Sequence, residues 1–282
     1  MRQTWNQGDI YANDINIFYY RTGGNKPQVV LNHGAMDDGL CWTRVAKALE
    51  NDYDVLMLDA RGHGHSDNGQ GDYSSRSRAE DLAAVIRALG LDRPVIGGHS
   101  MGAEAALTMA GLYPELTRGV FLEDPPIFLP GQPIFGGDLA GKGRDPFKYM
   151  MVFMRFIRMM PLSVGVSIGR RIFSNYHEDE ILPWVNSKRS LSKDLLASLF
   201  TILDLNGRSP IEPLSRIDSP ILLIMGDREA GAIVSQEVAE AVKTAARDVR
   251  LCHLSGASHD VRRTRFEGYI QALRKFLSEI YT

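Results

Sequence analysis

Pro94-Val95-Ile96-Gly97-Gly98-His99-Ser100-Met101-Gly102-Ala103-Glu104-Ala105-Ala106-Leu107-Thr108-Met109 is the stretch whose reading decides the fold. A short β-branched run ends on a glycine and passes, with no linker, into a segment rich in Ala, Leu and Met that stops ahead of Pro114. That is a buried strand turning sharply into a helix. Gly98 and Gly102 stand two residues either side of Ser100, where a tight strand-to-helix turn crowds the backbone and anything beyond hydrogen would clash. A serine at the head of a helix is often no more than its cap. The strand before it and the helix after it favour the other reading, a strained turn that lifts a serine hydroxyl out as a nucleophile.

Outward from this turn the chain alternates strands and helices. Asp14 to Tyr20 alternates polar with apolar, as a half-exposed antiparallel strand does, whereas Val29-Val30-Leu31 and Val55-Leu56-Met57-Leu58 are continuous apolar runs suited to buried parallel strands. Leu82, Val85, Ile86 and Leu89 form one helical stripe that Gly90 ends, and Gly119 to Leu122 is the strand after the turn. Pro125, Pro126, Pro130 and Pro133, followed by Gly136, Gly137, Gly141 and Gly143, cannot continue a sheet, and from about Phe147 to Leu205 the pattern is helical throughout. Sheet periodicity resumes at Ile221 to Met225 and again at Val249 to Leu254, and a closing helix carries Phe266, Ile270, Leu273 and Leu277 on one face. The expected organisation is an α/β core of residues 1–126 and 213–282, a mostly parallel sheet flanked by helices, with a helical cap inserted at 127–212.

Composition narrows the function classes. The chain has 282 residues, 44% of them hydrophobic and 23% charged, with a formal charge of -2. That balance suits a soluble globular protein and provides no field for nucleic acid or an anionic membrane. The N-terminal stretch lacks the apolar core of a signal peptide, so a cytoplasmic location is expected, as a monomer or homodimer. Cys41 and Cys252 are too few for a disulfide framework and read as packed thiols. His63-Gly64-His65 has no thiolate or carboxylate ligand set at metal spacing, and neither metal nor cofactor is expected.

Leu31-Asn32-His33-Gly34, Asp59-Ala60-Arg61-Gly62-His63-Gly64-His65-Ser66 and Gly98-His99-Ser100-Met101-Gly102, in that order, resemble the α/β-hydrolase superfamily, in its serine-nucleophile branch. The resemblance covers roughly residues 10 to 125 and 213 to 282. It implies that the N–H groups of Ala35 and Met101 form an oxyanion hole, that His33 is structural, and that Asp59 and Arg61 pack near the turn. A serine hydroxyl needs a base, a carboxylate that orients the base, and donors for the oxyanion. His259, in the turn-rich Gly256-Ala257-Ser258-His259-Asp260 before the last helix, is the candidate base; His253 lies within a strand-like run. The acid has two candidates. Most family members carry it after the strand read here at Ile221 to Met225, which points to Glu229, with Asp227 less well placed. Some carry it one strand earlier, where Asp124 stands, and that spacing from Ser100 favours Asp124.

The family's inserted helices roof the active site. Met150, Met154 and Trp184 are therefore candidate substrate contacts, beside Gly34 and Met36 at the oxyanion turn, in an apolar pocket. The same side chains could equally pack the helices against each other. The expected function is hydrolysis of a carboxylic ester or lactone of a fairly apolar small molecule through an acyl-serine. Carbon–carbon bond hydrolysis and cofactor-free perhydrolysis use the same groups, and a ligand receptor with slow hydrolysis is the reading from another class. Serine at 100, rather than aspartate, argues against chemistry that runs through an alkyl-enzyme ester.

Overall fold

The computed structural model describes residues 5–129, 146–202 and 212–282. Eight strands form one sheet: β1 (Asn6–Ala12), β2 (Ile15–Arg21), β3 (Gln28–Asn32), β4 (Asp54–Leu58), β5 (Val95–His99), β6 (Gly119–Glu123), β7 (Ile221–Met225) and β8 (Val249–His253). Their spatial order is β1-β2-β4-β3-β5-β6-β7-β8. β1 pairs antiparallel with β2 and β2 with β4, and every later pairing is parallel. The antiparallel start and parallel continuation agree with the sequence pattern. β1 was not legible there, because Asn-Gln-Gly-Asp-Ile-Tyr-Ala is a largely exposed edge strand that turns only Ile10 and Ala12 to the core, while Tyr11 points outward.

The continuous apolar runs are explained by burial on both faces. Along β3, Val30 faces one core while Val29 and Leu31 face the other, and β7 likewise divides Ile221, Leu223 and Met225 from Leu222 and Ile224. On the first face pack α2 (Ser75–Ala88), α3 (Met101–Leu112) and α8 (Gln236–Ala245), through Leu82, Ile86, Leu107 and Val238 among others. The second face is covered by α1 (Thr43–Leu49) and α10 (Phe266–Tyr281), with Trp42, Phe121, Tyr269 and Phe276 filling the layer. Ser74 caps α2 and Ser235 caps α8, each side chain accepting from the N–H three residues on.

Between β6 and β7 the described residues form four α-helices: α4 (Pro146–Met159), α5 (Leu162–Ile172), α6 (Glu178–Ser190) and α7 (Lys193–Ile202). A third, smaller apolar cluster joins them to the core, where Met154, Ile157, Trp184, Val185 and Leu195 pack with Met36 and Tyr73. Among the described residues no helix is long and apolar enough to cross a membrane.

The strand order fixes where a site can form. From β3 the chain goes first to β4 on one side and then returns to place β5 on the other. At such a reversal the connections after the two central strands diverge and leave a crevice beyond their carboxyl ends. The residues at that edge are His33 to Asp37 after β3 and Ser100 after β5.

Candidate active site

Ser100 follows the last residue of β5 and precedes the first of α3, with φ 52° and ψ -117°. A non-glycine residue there stores strain of about 1–3 kcal/mol, held in place by the packing around it. Ser100 sits at the cap position of α3, yet its side chain makes no capping bond to the helix. Its N–H donates to Glu123 O at 2.9 Å, tying the turn to the end of β6. Both flanking glycines are required by backbone contact. A Cβ on Gly98 would lie 2.3 Å from Asn32 O, and one on Gly102 would lie 2.2 Å from the same oxygen. Gly102→Ala is therefore expected to destabilise the protein by about 2–3 kcal/mol, because the obstacle is β3 backbone that cannot swing aside. A urea midpoint within error of wild type would show that the turn yields more easily than this contact implies.

The turn after β3 closes on the serine turn. His33 accepts from Ala60 N–H at its Nε2, 2.9 Å, and lies 2.8 Å from Gly34 O at Nδ1, which must therefore carry the proton. With both nitrogens engaged, His33 is a structural brace. Burial pushes its pKa down, consistent with a neutral ring. Gly34 admits His99, since a Cβ there would stand 2.5 Å from His99 Nδ1. Met36 has φ 66° and donates its N–H to His63 Nε2 at 3.3 Å, while His63 Nδ1 lies 2.9 Å from Arg61 O. His63 too is neutral and braced, its pKa driven well down by burial. Asp59 accepts from the N–H groups of Gly39 and His65, and Arg61 pairs with Asp81 at 2.6 Å inside the protein. These contacts leave Ala35, half-buried, at the mouth of the turn, and Met101 as the first residue of α3, where N–H groups have no partner within the helix.

β6 runs beside β5 with His99 opposite Glu123, so Ser100 and Asp124 leave adjacent strand ends together. Asp124 is fully buried at φ 42°. Its carboxylate accepts from Ile233 N–H at 2.7 Å and Val234 N–H at 2.9 Å, and lies 2.6 Å from His259 Nδ1. Burial alone would lower the pKa of His259. The hydrogen bond and charge of Asp124 outweigh it, and the net shift is upward. His259 is held against the serine turn by its neighbour His99, whose ring lies 4.5 Å from its own and whose Nε2 donates to His259 O at 3.0 Å. The structure thus brings Ser100, His259, Asp124, Ala35, Met101, Gly34 and Met36 to the same carboxyl edge of the sheet.

It does not bring Glu229 there. Glu229 is exposed on the 3₁₀ turn Arg228–Ala230. Its neighbour Asp227 is occupied by His253, 2.6 Å away at the exposed end of β8, and by Gly256 N–H. Met154 and Trp184 are 8% and 4% exposed, packed among the inserted helices and Met36 rather than facing open space. The Met150 side chain lies outside the described residues.

Sequence reasoning missed a buried charge cluster directly behind these groups. Asp37 pairs with Lys188 at 2.9 Å, Arg263 at 2.9 Å and Arg262 at 3.3 Å. Arg262 also reaches Glu123 at 3.2 Å, and Arg263 reaches Asp260 at 2.7 Å and Glu180 at 3.4 Å. Tyr176 donates to Asp260 at 2.8 Å. Burial works against the Asp37 carboxylate, but the three cations overcome it and hold its pKa well below the usual range. For Glu123 burial wins over Arg262, and its pKa rises to about 7. Ligating atoms of Asp37, His99 and Asp260 lie within 4.8 Å of one another. Both carboxylates are already engaged by Lys188, Arg262, Arg263 and Tyr176, so a metal ion would have to displace buried cations to enter.

Comparison with known proteins follows this geometry. A family model described as the alpha/beta hydrolase fold matches residues 27–146. The chain is 26% identical over 271 residues to N-formylmaleamate deformylase of Pseudomonas putida, covering 96% of each. The solved N-formylmaleamate deformylase of Pseudomonas putida superposes with a TM-score of 0.79 at 20% identity, over 95% of this chain and 100% of that one. The enol-lactonase of Burkholderia xenovorans does so with a TM-score of 0.72 at 20% identity, over 96% and 100%. The chain has the α/β-hydrolase fold, and the family model falls on the part of it that carries the serine turn. The fold and these relatives support a hydrolase function.

Proposed function

We propose that this protein is a serine hydrolase that cleaves a carboxylic ester or lactone of a small, fairly apolar molecule, with Ser100 as nucleophile, His259 as base and Asp124 as the acid that orients it. The observation that carries the reading is the 2.6 Å contact between His259 Nδ1 and the buried Asp124, set beside a strained serine at the neighbouring strand end. In the first half-reaction Ser100 Oγ bonds to the substrate carbonyl carbon as its proton passes to His259 Nε2. The carbonyl oxygen becomes an oxyanion facing the N–H groups of Ala35 and Met101. The bond to the leaving oxygen then breaks, and that oxygen takes the proton from His259. Water, deprotonated by the same ring, attacks the acyl-serine and returns the acid and the free serine. The inserted helices α4 to α7 serve as a lid over this crevice, and Met36 forms part of its apolar side, backed by the packed Met154 and Trp184.

A second reading has the same machinery cleaving an amide, as the name of the deformylase relative suggests for that protein. Two measurements test the proposal. A fluorophosphonate probe is expected to add its mass to the peptide containing Ser100 and to none in Ser100→Ala. A panel of p-nitrophenyl esters, lactones and N-formyl amides is expected to give sustained turnover on esters or lactones. Adduct formation with turnover on amides alone would move the assignment to the second reading. A single burst with no turnover would favour a receptor.

A further inference from the structure

Lys188 is 2% exposed near the end of α6, an unusual place for a lone ammonium. Its Nζ donates to Met36 O at 2.9 Å, Asp37 Oδ1 at 2.9 Å and Ser187 Oγ at 3.0 Å, which uses all three of its donors. It also lies 4.8 Å from the Trp184 ring centroid. Two of its acceptors are on the turn after β3. Met36, held at φ 66°, is gripped from both ends, with its N–H on His63 and its carbonyl on Lys188. Asp37 N–H closes the turn onto Gly34 O at 3.1 Å. The peptide between these fixed points carries the N–H of Ala35.

We propose that Lys188 is a positioning residue, through which the inserted helices hold the Ala35 N–H in line for the oxyanion. The inference rests on the hydrolase reading above, in which Ala35 supplies one of two donors. Its physical content is specific. α6 contributes nothing to the sheet, and its amine reaches the crevice only when that helix is seated. Seating of the lid and assembly of the hole are therefore one event. Asp37 retains Arg262 and Arg263 when Lys188 is neutralised, so the loss falls on the turn rather than on an orphaned carboxylate.

Lys188→Met, close in size and without donors, is expected to lower kcat about 10- to 100-fold, short of the loss on deleting an oxyanion donor outright. KM is expected to stay within about 3-fold, because the missing contact matters mainly when the oxyanion forms. An alkylboronic acid, whose serine adduct is tetrahedral and anionic, is expected to lose affinity in parallel with kcat/KM. Val185→Ala serves as the structural comparison: Val185 is fully buried on the same helix but touches no atom of the turn through a hydrogen bond. It is expected to lower the melting temperature while keeping kcat. Equal losses of kcat in both variants, or an unchanged kcat in Lys188→Met, would overturn the proposal. If Lys188→Met does not fold, Lys188→Gln carries the test, since its polar amide suits the buried site but ends one bond short of Nζ and loses the 2.9 Å hold on Met36 O. A loss of about 3- to 10-fold in kcat supports the latch and full activity overturns it. A wild-type protein with neither phosphonate adduct nor ester turnover would instead refute the hydrolase reading itself.

Discussion

Asp124→Asn is expected to lower kcat/KM by about four orders of magnitude while leaving the protein folded, because the imidazole loses both its tautomer and the charge that supports its protonated form. The carboxylate accepts three hydrogen bonds, two of them from the backbone of Ile233 and Val234. An amide placed there can serve those N–H groups with its oxygen, but must then offer an N–H to His259 Nδ1. The proton moves to Nε2, the nitrogen that has to accept from Ser100. The pH profile supplies a second readout. The base acts only when neutral, and Asp124 raises the His259 pKa above the ordinary 6.5, so wild-type kcat/KM should climb along an acid limb lying above that value. Without the charge, burial dominates and the limb should shift to lower pH. Glu229→Gln, on its exposed turn, should leave both rate and profile unchanged. Near-normal turnover in Asp124→Asn with a collapse in Glu229→Gln would reverse the assignment.

The largest expected effect on stability is at Arg262. This side chain is fully buried and joins Glu123 to Asp37, its guanidinium 4.3 Å from the Trp42 ring centroid. Arg262→Met fills the volume but leaves Glu123 without its cation. Breaking a buried pair on one side costs about 3–5 kcal/mol, which for a chain of this length corresponds to a drop in Tm on the order of 10 °C. The cost should depend on pH in a definite direction. Glu123 has a folded pKa of about 7, raised from 4.5, so its contribution to stability is present at low pH and lost as pH rises through the folded value. Removing Arg262 takes away an effect that lowers this pKa, raising it further and deepening the loss. The difference between wild type and Arg262→Met in urea should therefore be greater at about pH 8 than at about pH 5.5. A difference that is the same at both would mean that Glu123 is not the group left stranded.

Much of the fold was legible because burial on both sheet faces writes itself as continuous apolar runs. Val29 to Leu31, Val55 to Leu58 and Ile221 to Met225 each lie inside an observed strand. β1 was not, since an edge strand that turns only Ile10 and Ala12 to the core leaves too short a pattern to read. At the site, the serine turn and His259 stood in local motifs with glycines that sterics demand. The choice between Asp124 and Glu229 had no local signature, because it depends on which strand end lies opposite His259 in space. The cluster of Asp37, Lys188, Arg262 and Arg263 was illegible for a related reason. Its members come from three separate stretches, and a lone lysine near the end of an amphipathic helix reads as solvated. Only the folded chain discloses that it is buried.

One consequence of the acid's surroundings concerns how such a site can evolve. The loop after β7 contributes the peptide groups of Ile233 and Val234 to the Asp124 carboxylate, which follows β6. Giving up Asp124 would strand two buried donors and the imidazole at once, and a carboxylate gained on the β7 loop would arrive before that loop was free to present it. Single substitutions therefore lead from one arrangement to the other only through an inactive protein. Two buried peptide donors and one imidazole thus depend together on a single side chain, and no one substitution can move the carboxylate without stranding them.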